Sequence, residues 1–272
     1  MELEFTKMHG AGNDFVFLDC RKNNIADLQS IAKKLCDRRF GIGADQLLTV
    51  HPSQVADFKM EIYNADGSQV EMCGNGIRCF AKYVYDHGIT PKTELEVETL
   101  AGIIRPKIVG DLVEVDMGEP ILDGRKIPVD ADGEIKNRPL TVLDKTYEVT
   151  CVSMGNPHCV IYLDDIESLD LAKIGPHFEH HKFFPKRVNT EFIKIITPAE
   201  INMRVWERGA GETWACGTGA SAVGVAGVIT GRTERKVTIH LKGGDLVIEW
   251  RANNRVYMTG AAAEVFHGKV NL

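Results

Sequence analysis

Apolar and polar residues alternate over Phe58–Tyr63 and again over Ile201–Trp206, the period of a strand with one face buried. A polar turn follows each run: Asn64-Ala65-Asp66-Gly67 after the first, Glu207-Arg208-Gly209-Ala210-Gly211 after the second. Then come a cysteine, a Gly-x-Gly and a helical stretch that runs to Gly88 or to Gly231, glycines placed where a helix C′ residue belongs. From Ala220 to Ile229 the second helix is small and apolar on nearly every face, which predicts burial on all sides. Strand pairs are expected next, Leu95–Thr99 with Ile103–Val109 and Val237–Leu241 with Leu246–Trp250.

The two series keep one constant offset, the separation of Gly12 from Gly155. At that offset Asp27, Leu28 and Ile31 fall on Asp170, Leu171 and Ile174, and Gln46 falls on Asn189. Met60 and Ile62 fall on Met203 and Val205, Cys73-Gly74 on Cys216-Gly217, Gly76 on Gly219, and Gly88 on Gly231. An ordered set without gaps points to an internal duplication. The expected fold is therefore α+β: two pseudo-symmetric domains, each a curled, mostly antiparallel sheet around a central helix. Strands give way to Gly118-Glu119-Pro120, which puts the domains at 1–117 and 118–262. Two like domains facing each other are expected to form a cleft, a preferred ligand site.

Composition narrows the class. The 272 residues are 44% hydrophobic and 26% charged, a globular profile with enough chain to build a core without disulfides or metal. A formal net charge of −6 argues against a nucleic-acid partner. No apolar run is long enough for a bilayer, so no membrane partner is expected. The first residues lack the basic and then apolar segments of a signal peptide, and the expected location is the cytoplasm. Seven cysteines, an odd number without any C-x-x-C, fit neither a disulfide framework nor a zinc ribbon. Cys20, Cys36, Cys79, Cys151 and Cys159 are read as small buried hydrophobes. His177, His180 and His181, beside Lys182 and Lys186, are read as a solvated face, and no metal is expected.

Cys73 and Cys216 differ from the other five by context. Each stands just before a helix, where free N–H groups and the positive dipole end favour a thiolate. The same N–H groups suit a carboxylate, and the glycines let a ligand approach the backbone. Two such thiols acting on one molecule meet the need of stereoinversion: one group removes an α-proton and the other returns a proton to the opposite face. His158 aligns with Phe15 and Glu207 with Asn64, so both titratable helpers occur only in the second half. Arg208 could grip a carboxylate with its planar fork, or pair on the surface. A thiol redox protein or an amino-acid-binding module remains possible on these residues. The first would usually carry its cysteines close in sequence, and the second has no need of a matched pair.

Over nearly its whole length the chain resembles the diaminopimelate epimerases, which use no pyridoxal phosphate. The resemblance rests on Met8 to Phe15, Gly43-Ala44-Asp45-Gln46, Asn64 to Ser68, Met72 to Arg78, Gly155-Asn156-Pro157-His158, Asn189, Glu207-Arg208-Gly209 and Ala215 to Gly219. It implies an isomerase that interconverts LL- and meso-diaminopimelate in the making of lysine and cell-wall precursors, with no cofactor. Cys73 and Cys216 would alternate as base and acid, assisted by His158 and Glu207. Gly74, Asn75, Gly217 and Thr218 would hold the carboxylate at the reacting centre. Asn13, Gln46, Asn64, Asn156, Asn189, Glu207 and Arg208 would bind the substrate. A C-terminal segment, 263–272, would return to the first domain, and the enzyme would be a homodimer. Related two-thiol proline and hydroxyproline racemases act on smaller ligands, and the asparagines with Arg208 favour a longer substrate with a second amino-acid end.

Overall fold

The computed structural model describes residues 2–22 and 25–272; residues 1, 23 and 24 of the expected 1–117 domain lie outside them. In chain order the first elements are β1 (Glu2–Gly10), β2 (Asn13–Asp19), α1 (Leu28–Leu35), β3 (Gln46–His51), β4 (Phe58–Asn64), β5 (Gln69–Val70), α2 (Gly74–Asp86), β6 (Val97–Thr99), β7 (Gly102–Ile104), β8 (Pro106–Val109) and β9 (Leu112–Asp116). There follow β10 (Arg138–Val142), β11 (Lys145–Ser153), β12 (Pro157–Tyr162), α3 (Leu171–Glu179), β13 (Asn189–Thr197), β14 (Glu200–Glu207), β15 (Gly211–Thr213) and α4 (Gly217–Ile229). The last are β16 (Lys236–Leu241), β17 (Gly244–Trp250), β18 (Val256–Ala261) and β19 (Ala263–Asn271). The chain forms two compact units, one running to Val115 and resuming over Gly260–Leu272, the other spanning Asp116–Thr259.

In the first unit the strand order is β19-β1-β2-β3-β4-β6-β7, with β5 on β4. In the second it is β10-β11-β12-β13-β14-β16-β17-β18, with β15 on β14. Pairs are antiparallel except at two places per unit. Helix α1 carries the chain across to make β2 and β3 parallel, as α3 does for β12 and β13. Helices α2 and α4 likewise lie in the connections between the parallel pairs β4 with β6 and β14 with β16. A parallel pair needs such a crossover. The duplication read from residue identities is thus repeated in strand order, strand direction and the position of each helix.

Helix α4 touches β11, β12, β13, β16 and β17, strands from well-separated places in the row, so the sheet curls about it. Close contact on many sides demands small residues, and Gly217, Gly219–Gly227 supply them, all buried. A Cβ at Gly224 would stand only 2.6 Å from Ile248 Cγ2, so the approach of helix to strand there requires glycine. Helix α2 is built differently. Arg78 is fully buried in it and donates to Asn75 Oδ1 at 2.9 Å and Gly74 O at 3.2 Å on its own helix and to the distant Ala261 O at 3.4 Å. Both helices end as read from sequence: Gly88 and Gly231 follow the last turns with φ of +63° and +69°, the left-handed backbone a C′ glycine adopts.

One expected strand is divided. Ile103–Val109 breaks at Arg105, so that β7 pairs with β6 while β8 pairs with β9. Pro106 has no N–H to offer the ladder, and a new strand starts there.

Candidate active site

In the first unit, the chain reaches Cys73 with extended backbone, φ −137° and ψ 118°, and turns directly into α2. The cysteine is itself the N-cap: Gly76 N–H donates to Sγ at 3.4 Å, the bond a capping oxygen normally accepts. Sγ also lies 3.5 Å from Asn13 Oδ1, which accepts from Asn75 Nδ2 at 3.4 Å. Asn13 starts β2, Gln46 starts β3 and Asn64 ends β4, and the pairing of these strands brings Gln46 opposite Asn64, to which its amide donates at 2.9 Å. Asn13 is held from behind. Its Nδ2 donates to Asp45 at 2.7 Å, and Asp45 pairs with Arg38 at 2.8 Å. Asp14 in turn pairs with Arg38 at 2.7 Å and with Lys7 at 2.6 Å.

The second unit repeats the frame with other side chains. Cys216 occupies the N-cap position of α4 with similarly extended backbone, φ −126° and ψ 109°, but its side chain accepts no capping bond, and it is buried. Its sulfur is 3.5 Å from Thr218 Oγ1, which accepts from Asn156 Nδ2 at 3.2 Å. His158 Nε2 lies 2.9 Å from Asn156 Oδ1. Asn189, starting β13, donates to Pro157 O at 2.9 Å and accepts from Arg208 N–H at 2.9 Å. Thr213 donates to the Glu207 carboxylate. The Arg208 side chain is exposed, with Nη1 donating to Lys186 O at 3.1 Å.

Residues 5–122 and 150–265 match the family model of diaminopimelate epimerase. The diaminopimelate epimerase of Acetivibrio thermocellus is 54% identical, the match covering 99% of this chain and 99% of that one. The diaminopimelate epimerase of Methanococcus maripaludis is 50% identical over 99% of this chain and 100% of its own. The chain belongs to the diaminopimelate epimerase family. As a member it is an isomerase of the epimerase kind. The fold is shared more widely. A phenazine biosynthesis protein of the PhzF family from Enterococcus faecalis superposes with a TM-score of 0.75 at 15% identity, each chain covered in full (100%). A hydroxyproline epimerase from Agrobacterium vitis superposes with 0.67 at 12% identity, covering 99% of this chain and 92% of its own.

Two carboxyls in the second unit escaped the reading of the sequence of this epimerase. Glu191, on β13, is fully buried with His158, and its Oε1 lies 2.7 Å from Nδ1. Burial pushes the Glu191 carboxyl up from its ordinary range while His158 draws it back, and Glu207 adds to the rise. Glu179, at the end of α3, accepts from Trp206 Nε1 at 2.8 Å and from Gly209 N–H at 2.9 Å, bracing the turn that carries Glu207 and Arg208. Burial also pushes the Cys216 thiol well up, and Glu207 and Glu191 push it the same way. Among the described residues no cluster of three or more His, Cys, Asp or Glu is arranged to hold a metal ion. No helix among them is long and apolar enough to cross a membrane.

The charged network behind Asn13 gives a pH signature. Burial alone would raise the Asp14 carboxyl, but the bonds from Arg38 and Lys7 outweigh it and hold the group well below the usual carboxylate range. A carboxylate depressed in the folded state adds stability above its unfolded value near ~3.9, and that stability is lost as pH falls toward the folded value. Asp14→Asn should lower Tm at neutral pH and lose less Tm than the parent between about pH 5 and pH 2. Thermal melts across that range check both; parallel curves would remove Asp14 from the network's energetics.

Proposed function

We propose that this epimerase interconverts LL- and meso-diaminopimelate by a two-base transfer, with Cys73 and Cys216 as alternating base and acid and no cofactor taking part. The observation that carries this reading is the twin placement of the cysteines, each at the N-cap position of the corresponding helix in a duplicated unit. One sulfur, as thiolate, takes the α-proton and becomes a thiol. The other, as thiol, gives its proton to the opposite face of the carbanion and becomes a thiolate. Atoms and charge balance, and the two sulfurs have exchanged roles. The α-proton of an amino acid is weakly acidic, so charge developing on the substrate carboxylate must be stabilised. The first-turn N–H groups of α2 and α4, at Gly74-Asn75 and Gly217-Thr218, are of the kind that serves this need. His158 and Glu207 assist the thiols. Asn13, Gln46, Asn64, Asn156 and Asn189 bind the substrate's polar groups, and Arg208 takes the carboxylate at the end that does not react. The enzyme acts in the cytoplasm as a homodimer, and sedimentation velocity should give twice the chain mass of 30.1 kDa.

The proton's fate tests the mechanism. In deuterated water with no added cofactor, product formed early from LL-diaminopimelate should carry deuterium at the inverted centre, and the remaining substrate far less. Early product that keeps the original hydrogen would rule out two bases. Cys73→Ala and Cys216→Ala should each abolish inversion.

Specificity tests the assignment of Arg208. A lysine cannot reproduce the bidentate fork. Arg208→Lys should cost about 2–4 kcal/mol in kcat/KM, from the loss of a charge-assisted pair and the unpaired carboxylate left behind. A near-parental value would leave Arg208 as a surface residue bound to Lys186.

A further inference from the structure

Glu191 takes no part in the chemistry assigned above, yet its placement is specific. The side chains of Glu191 and His158 are both 0% exposed, and Glu191 Oε2 is buried without a partner. A Cβ built on Gly219 would stand 2.7 Å from Glu191 Oε1 and 3.3 Å from Cys216 Cβ, so carboxyl and cysteine flank the same backbone carbon. In the first unit the same position, Gly76, has Leu48 Cδ2 at 3.2 Å and Cys73 Cβ at 3.4 Å. The offset of the repeat lays Leu48 on Glu191 and Phe15 on His158. A buried polar pair replaces an apolar pair beside one thiol only.

The hydrogen bonds of that pair have a direction. Asn156 Oδ1, 2.9 Å from His158 Nε2, can only accept, so Nε2 carries a hydrogen. Nδ1 stands 2.7 Å from Glu191 Oε1, and two acceptors do not meet at that distance, so one further proton lies between them. Asn156 Nδ2 donates to Thr218 Oγ1 at 3.2 Å, which leaves the hydroxyl hydrogen free for the Cys216 sulfur 3.5 Å away. We infer that Glu191 is a positioning residue for Cys216: by sharing one proton with His158 Nδ1, it fixes the chain through Asn156 and Thr218 so that a hydroxyl is donated to the Cys216 sulfur. The groups facing this sulfur are Thr218 on its own helix, Glu191 and Glu207 from β13 and β14, and His158, through Asn156, from β12. The two carboxyls and burial oppose a thiolate; the Thr218 hydroxyl favours it. The inference rests on Cys216 being an acid–base group of the reaction.

The test titrates the thiols of the free enzyme. Alkylation by iodoacetamide is followed across a pH series, with peptide masses reporting Cys216 and Cys73 separately in one sample. Glu191→Leu, which copies Leu48, removes the partner of Nδ1. Glu191→Gln keeps a donor to it. Both variants remove the carboxyl that opposes the thiolate, so the difference between them reads the hydrogen-bond chain alone. The Cys216 midpoint in Glu191→Leu should lie at higher pH than in Glu191→Gln, so that below the midpoints Cys216 reacts roughly three- to tenfold more slowly in Glu191→Leu, the worth of one neutral hydrogen bond. The acid limb of kcat/KM should differ between the variants in the same sense, and Cys73 should have one midpoint in both. Equal Cys216 midpoints in the two variants overturn the inference, as does a lower one in Glu191→Leu. A difference of the same size at Cys73, which would signal general loosening, overturns it as well. Should Glu191→Leu not fold, the nitrogen-15 spectrum of His158 in the parent decides: Nε2 should bear hydrogen at neutral pH, and a bare Nε2 overturns the inference. Because the titration uses no substrate, it can fail while Cys216→Ala still abolishes inversion.

Discussion

Pressing a helix into the curl of a sheet is the constraint on which the second unit depends. Helix α4 can contact β11, β12, β13, β16 and β17 because its buried residues run from glycine to valine and no larger. Close packing fixes the helix along its axis, since sliding it would drive Gly224 off Ile248 and open voids that cost dispersion contacts. A helix fixed axially has a fixed first turn. Cys216 and the N–H groups behind it are therefore set by the core rather than by a loop, with Glu207 of β14 close by and His158 of β12 reached through Asn156 and Thr218.

The two units share this frame and differ in what fills it. Beside Cys73 stand the neutral amides Asn13 and Asn75, with Asn13 backed by a network of Lys7, Asp14, Arg38 and Asp45. Around Cys216 stand the carboxyls Glu191 and Glu207, with His158 bonded to Glu191. One cysteine is lined by neutral amides; the other has a buried imidazole and carboxyls beside it. Duplication gave the two cysteines one frame, and divergence at Phe15/His158, Leu48/Glu191 and Asn64/Glu207 gave each its own surroundings.

Much of this was legible in the residues. The N-cap cysteines, the C′ glycines Gly88 and Gly231, the paired strands and the buried helix all have local signals, because turns, caps and periodicity are local physics. Glu191 was not legible. In a half-buried strand a charged residue marks the solvent side, yet Asn189 to Ile193 are buried without alternation, since α3 and α4 both pack against β13. The available signal was the repeat itself, which sets a carboxyl on the core position of Leu48. Glu179 and Arg78 were missed for a related reason. Each is a charged residue on a helix with at least one partner far along the chain, Trp206 and Gly209 for Glu179 and Ala261 for Arg78. The break at Pro106 was visible as a proline, and it was overridden by the apolar pattern around it.

The pairing of β1 with β19, from Glu2 opposite Asn271 to His9 opposite Ala263, sets an order of events during synthesis. As the chain leaves the ribosome, all of Asp116–Thr259 emerges before the strand that completes the first sheet. The second unit can close on its own contacts while one edge of β1 still waits for its neighbour. An uncovered strand edge is a template for stray pairing. The exposed Glu2 and Glu4 along β1 place charges on the waiting strand, the kind of residue that discourages another chain from adding there. The earliest strand made is thus the last to be sealed.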